Sequence, residues 1–115
     1  MANTFKLVTK ANVTSADVIY TVASGATTVV LGVMVGNTTT SQVTGTISIA
    51  STTSARAGNN NEANQTVELV TNAPIPAGGT LELLAGNKVV MEAGDALSLT
   101  ASGSSDIAVS IMEIT

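Results

Sequence analysis

Val43-Thr44-Gly45-Thr46-Ile47-Ser48-Ile49 alternates apolar and polar residues, and segments of this kind recur along the whole 115-residue chain. Strict alternation places every second side chain on one face of an extended strand, whereas a helix needs apolar residues three and four apart. Val43, Ile47 and Ile49 are therefore expected inward and Thr44, Thr46 and Ser48 outward, the pattern of a sheet with one wet face. Further strands are expected over residues 5–10, 17–22, 27–35, 67–70, 80–84, 88–92, 96–100 and 107–114, separated by turn signals such as Ser24-Gly25, Gly36-Asn37, Gly86-Asn87 and Gly94-Asp95. About nine short strands without a helix of ordinary length predict an all-β fold, an antiparallel β-sandwich or jelly-roll-like barrel forming one domain over residues 1–115.

Three segments carry more specific expectations. In residues 27–35, Val29, Leu31, Val33 and Val35 fall on one face and Val30, Gly32 and Met34 on the other. Apolar residues on both faces imply burial between layers or within an interface, and hence a homo-oligomer, with a trimer favoured. Residues 73–79, Ala-Pro-Ile-Pro-Ala-Gly-Gly, read as a stiff crossing between layers, because two prolines cannot sit in a central ladder. Ile107, Val109 and Ile111 alternate before Met112 and Ile114 change face, which predicts a bulge near the C-terminal end.

The alternation stops over residues 51–65, a long polar segment with nothing to bury. Loops of that length in a small domain commonly carry function. Arg56, Asn59, Asn60, Asn61 and Glu62 are its candidate partner-contact residues, beside the simpler reading of a solvated hairpin loop.

The inventory of reactive side chains argues against catalysis. There is no His, Cys or Trp, which removes the usual proton shuttle, thiol nucleophile and soft-metal ligands. A serine nucleophile would need Lys6, Lys10 or Lys88 as its base, and no local motif supports that. Glu82, Glu92 and Asp95 invite comparison with a hard-cation site, but a calcium loop needs more oxygen donors, so turn-capping is the favoured role. Gly78-Gly79 lacks the phosphate-binding fingerprint. Catalytic residues, cofactors and metals are therefore all expected to be none.

Charge narrows the partners. Four basic residues oppose eight acidic ones for a net charge of −4, so no basic face is available for nucleic acid or an anionic membrane. Residues 29–35 are too short an apolar run to span a bilayer. The first residues, Met-Ala-Asn-Thr-Phe-Lys, show no secretory pattern, and the absence of cysteine suits a reducing cytoplasm. The sequons at Asn12, Asn37 and Asn64 are expected by chance in so Asn- and Thr-rich a chain.

The segment 73–102, with its Ala-Pro-Ile-Pro-Ala-Gly-Gly turn, Leu81-Glu82-Leu83-Leu84 strand and Glu92-Ala93-Gly94-Asp95-Ala96-Leu97 turn, resembles small virion proteins of tailed bacteriophages, notably of cyanobacterial and other marine phages. The resemblance extends to Tyr20-Thr21-Val22, residues 27–37 and residues 107–115. It implies a virion structural protein, assembled in the bacterial host cytoplasm. The leading expectation is a capsid decoration, or cement, protein that binds the major capsid protein lattice and stabilises the mature head. A neck, tail or fibre-attachment component contacting other virion proteins is the alternative, and a soluble carbohydrate-binding β-domain is the alternative of another class.

Overall fold

The computed structural model describes residues 2–52, 64–84 and 87–115. Nine strands are present: β1 (Asn3–Val13), β2 (Ala16–Thr21), β3 (Thr27–Asn37), β4 (Val43–Ala50), β5 (Thr66–Ile75), β6 (Thr80–Leu83), β7 (Val89–Glu92), β8 (Ala96–Ala101) and β9 (Ser105–Ile114). They form two antiparallel sheets, one in the order β1-β9-β3-β6 with β7 also on β3, the other in the order β2-β8-β4-β5. The expected all-β sandwich is the fold observed.

The pairing follows one rule. Lys6 faces Ile111, Val18 faces Ser98, Met34 faces Glu82 and Ser48 faces Glu68. Residues equally distant in sequence from segment 51–65 thus meet, as in a single long hairpin. Ser51 N–H donates to Gln65 O at 2.8 Å. Rolling the hairpin brings β9 onto β3 and β8 onto β4, which gives the two layers of a jelly roll.

The strands expected over residues 80–84 and 88–92 do not pair with each other. β6 pairs with residues 33–36 of β3 and β7 with residues 27–30, so the two lie end to end along one edge of β3. They act as one interrupted strand, so the turn expected at Gly86-Asn87 does not pair β6 with β7; Asn87 N–H donates to Leu84 O at 3.3 Å, and Gly86 itself lies outside the described residues. The prolyl segment is also shorter than expected as a crossing. Ala73, Pro74 and Ile75 belong to β5, where Pro74 is tolerated because β5 is an edge strand. Residues 76–79 alone carry the chain between sheets, closed by Gly79 N–H donating to Pro76 O at 2.8 Å.

The expected bulge exists, but on the neighbouring strand. β9 keeps unbroken register with β1 from Ile107 to Ile114, whereas the register between β3 and β9 shifts between Val30 and Gly32. Leu31 is the extra residue. A shift of one residue exchanges the faces of a strand, so Thr28 and Val30 point inward before the bulge and Val33, Val35 and Asn37 after it. The expected grouping of Val29 and Leu31 with Val33 and Val35 is therefore corrected: Val29 lies on the opposite face. β4 matches expectation, with Val43, Ile47 and Ile49 buried.

The core is aliphatic. Val30, Val33, Val35, Met91, Val109 and Ile111 meet Ile47, Ile75, Leu97 and Leu99 across the interlayer, all essentially inaccessible. Burying a side chain of this size contributes about 1.5–3 kcal/mol. Both ends of β3 carry buried polar residues with defined partners. Asn37 Nδ2 donates to Ser41 O (2.8 Å), Ile75 O (2.9 Å) and Pro76 O (3.1 Å), while its Oδ1 accepts from Thr39 N–H and Thr39 Oγ1. One side chain thereby ties the end of β3, the following turn and the prolyl crossing.

The bulge yields a direct test. Deleting Leu31 removes the extra residue and restores plain alternation, so Val33, Val35 and Asn37 keep their inward face, whereas inserting one alanine after Leu31 would exchange them with Gly32, Met34 and Gly36. The insertion is expected to abolish cooperative thermal unfolding, whereas the deletion should leave it cooperative and Leu31→Ala, truncating a half-buried side chain in place, should cost only about 1 kcal/mol. Circular dichroism melting curves of the three variants distinguish these outcomes.

Candidate interaction surface

Side chains directly opposite in a ladder share a face, so the register maps the outer surface of the β1-β9-β3 sheet row by row. Asn3, Ile114, Thr27 and Glu92 form the first row, and Phe5, Met112, Val29 and Val90 the second. Leu7, Ser110 and Gly32 follow, with the parting between β6 and β7 at the end of their row. Thr9, Ala108, Met34 and Glu82 form the fourth row. Gly36, Asp106 and Thr80 close the face.

This face is uncharged through its middle and carries no lysine or arginine at these positions. Phe5 is 73% exposed, Leu7 66%, Val90 63% and Met34 48%. Those four belong to a set of six large apolar side chains standing exposed among the described residues, so exposure is concentrated on one sheet face. Two depressions mark it. A groove of about 410 Å³ runs over Gly36 and Ala108 between Thr9, Met34, Thr80 and Asp106. A notch of about 160 Å³ opens where β6 and β7 part, lined by Leu31, Gly32, Met34, Glu82, Leu83 and Leu84.

β1 presents this face in an unusual sense. Phe5 and Leu7 point outward, whereas Lys6 and Lys10, opposite Ile111 and Ile107, lie on the side of the sandwich interior. The polar side chains are satisfied there. Lys6 Nζ donates to Glu113 Oε1 at 2.8 Å, Tyr20 Oη donates to Glu113 Oε2 at 3.2 Å, and Tyr20 Oη and Thr28 Oγ1 share a 2.7 Å hydrogen bond. Lys10 Nζ lies 2.8 Å from Asp17 Oδ2, joining the edge strands β1 and β2 of the two sheets. The bond from Lys6 holds the Glu113 carboxyl below its ordinary value and in turn raises Lys6. Burial, opposed by the bond to Thr28, pushes the Tyr20 phenol up.

The carboxylates considered from sequence separate in space. Asp95 is buried and caps its turn, Oδ2 accepting from Glu92 N–H at 3.0 Å and Oδ1 from Thr52 N–H at 3.3 Å. Glu92 and Glu82 pair with Thr27 and Met34, seven residues apart on β3 and thus roughly 20 Å from one another. Among the described residues no three acidic side chains converge on a cation position. Asn37, in one of the three sequons, has its amide nitrogen engaged and is buried. Of the loop candidates, Arg56, Asn59, Asn60, Asn61 and Glu62 all lie outside the described residues.

Alternation alone does not reveal the apolar face. Phe5 and Leu7 flank a lysine in a strand that has the same pattern whichever side is buried, so only pairing with β9 settles their direction. Val29 and Met34 share the outer face only because Leu31 shifts the phase between them. No family model, curated protein or solved structure matches this chain.

The Lys6–Glu113–Tyr20 cluster makes stability dependent on pH. Glu113 has a lowered folded pKa, so its contribution is present above the ordinary value of 4.5 and disappears as pH falls through the folded value. Tyr20 and Lys6 are raised, so their contributions are present below 10.0 and 10.5 respectively and disappear as pH rises through the folded values. Glu113→Gln is expected to flatten the acid limb of a plot of Tm against pH. An acid limb identical to wild type would remove Glu113 from the account.

Proposed function

We propose that this chain is a structural protein of a tailed-phage virion that decorates the capsid and cements neighbouring capsid subunits. The observation that carries the reading is the broad apolar sheet face, in a domain whose Lys6, Lys10, Asp17, Asp95 and Glu113 are engaged in holding the fold. Such a surface serves assembly. The resemblance of the β3, prolyl-turn and β6–β9 segments to small phage virion proteins supports the same setting and adds the capsid lattice as partner.

A jelly roll with satisfied polar side chains and an aliphatic core suits a part that must remain inert, although the fold alone does not specify function. Attachment to a lattice sums many contacts, so each can be weak. A neck, tail or fibre-attachment role uses the same surface and differs in copy number. The carbohydrate-binding alternative is less well supported. The groove over Gly36 and Ala108 has no aromatic platform in its lining, and Phe5 stands two rows from Thr9.

The cement role predicts preference for the expanded shell, because only there are the subunit seams in their final geometry. Differential affinity of about 1–3 kcal/mol per copy suffices to bias the mature state. Particles carrying the protein should release their genome at a higher temperature than particles lacking it, with one copy per repeating lattice position. Equal release temperatures together with equal occupancy of expanded and precursor shells would reject the cement role. A copy number matching a neck or tail ring would assign the alternative virion position.

A further inference from the structure

Gly32 in the middle row of the outer face and Gly36 in its last row leave that face open. Gly32 and Gly36 lie in β3 without the left-handed backbone that demands glycine, and a Cβ built on either meets nothing within 4 Å. Glycine inside a strand weakens it and marks a bulge, which Leu31 supplies beside Gly32, or close approach by another surface. The free chain supplies no such surface at this face.

We propose that the occupant is a second copy of this chain, packed face to face about a two-fold axis running along the strands. Leu7 of each copy then seats in the notch between β6 and β7 of the other. Such an axis exchanges left and right edges but keeps each row opposite itself. Leu7 and the notch occupy the two ends of the same row, so the knob on β1 meets the hole beside Gly32 and does so twice. The notch, at about 160 Å³, is similar to the ~150 Å³ cavity that accepts a benzene-sized group. In the adjacent row Phe5 meets Val90.

Charge selects the same axis. Glu82 and Glu92 both stand on the β6/β7 edge, and the two-fold along the strands brings them to Thr9 and Asn3. An axis across the strands through the Leu7 row would place Glu82 over Val90, burying a carboxylate against an apolar side chain. Separation of the carboxylates matters for a chain of net charge −4. The area is adequate as well. Four strand positions about 4.8 Å apart and some ten residues long present roughly 600 Å², close to the ~800 Å² per partner of a standard stable interface. The inference gives a two-fold pair in place of the trimer expected from the sequence; it describes the free protein, and because the pair covers the face that the proposed function assigns to the capsid, lattice binding displaces the second copy.

Sedimentation equilibrium tests it directly. Wild type is expected at twice the chain mass of 11.4 kDa, dissociating on dilution. Gly32→Val should fill the notch, leave the melting temperature unchanged or higher in the free chain, and yield a monomer. Leu7→Asp, at an exposed position on an edge strand, should likewise yield a folded monomer by circular dichroism. Val18→Asp, exposed on the other sheet, should remain paired. A wild-type monomer at all concentrations, a trimer, or a pair that survives both Gly32→Val and Leu7→Asp would overturn the proposal. Retention of the Leu7→Asp pair with loss of the Val18→Asp pair would assign the contact to the wrong sheet and overturn it equally.

Discussion

Backbone hydrogen bonding between strands equidistant in sequence from segment 51–65 is the constraint from which the rest of this structure follows. Because β1 meets β9, β2 meets β8, β3 meets the combined β6 and β7, and β4 meets β5, the chain is one antiparallel ribbon before it is a sandwich. Rolling satisfies the inner edges of the ribbon by setting β9 on β3 and β8 on β4. The edges that remain are β1, β2, β5 and the β6/β7 strand. Each is managed locally: Lys10 and Asp17 join β1 to β2, Pro74 lies on β5, and β6 and β7 are short.

Within that ribbon β3 sets the faces. Its two ends carry buried polar residues, Thr28 bonded to Tyr20 and Asn37 bonded to three carbonyls, and the valines between them fill the core. A strand held at both ends must still present Thr28, Val30, Val33, Val35 and Asn37 to the same side. Even and odd positions cannot do that without one additional residue, and Leu31 supplies it. The same shift sends Val29, Gly32 and Met34 to the outside. Core packing and the composition of the outer face are therefore two consequences of one bulge.

Much of the fold was legible because alternation depends on local composition. β4 shows the expected burial at Val43, Ile47 and Ile49, and the aliphatic composition gives an aliphatic core with Phe5 left outside. What was not legible depends on partners distant in sequence. The change of face at Met112 and Ile114 signalled an irregularity, yet a register shift belongs to two strands, and the extra residue sits on β3. β6 and β7 have ordinary hairpin punctuation but bind consecutive stretches of one neighbour. The candidate surface was hidden for the same reason. The two-sided apolar character of residues 29–35 pointed toward an interface, while the contributions of Phe5, Leu7 and Val90 emerge only when the rows are assembled.

An outer sheet face that is apolar through its middle, opened by a notch beside Gly32 and flanked by carboxylates on one edge is a surface built to be covered. The methionines report on this without any substitution, since Met34 and Met112 stand on the outer face and Met91 lies in the core. Oxidation by dilute peroxide, read site by site by mass spectrometry across a dilution series, measures how much of the face is covered. The account expects Met34 to oxidise readily in dilute protein and to become protected as the concentration rises, with Met91 resistant throughout. A rate at Met34 that is the same at every concentration would contradict it.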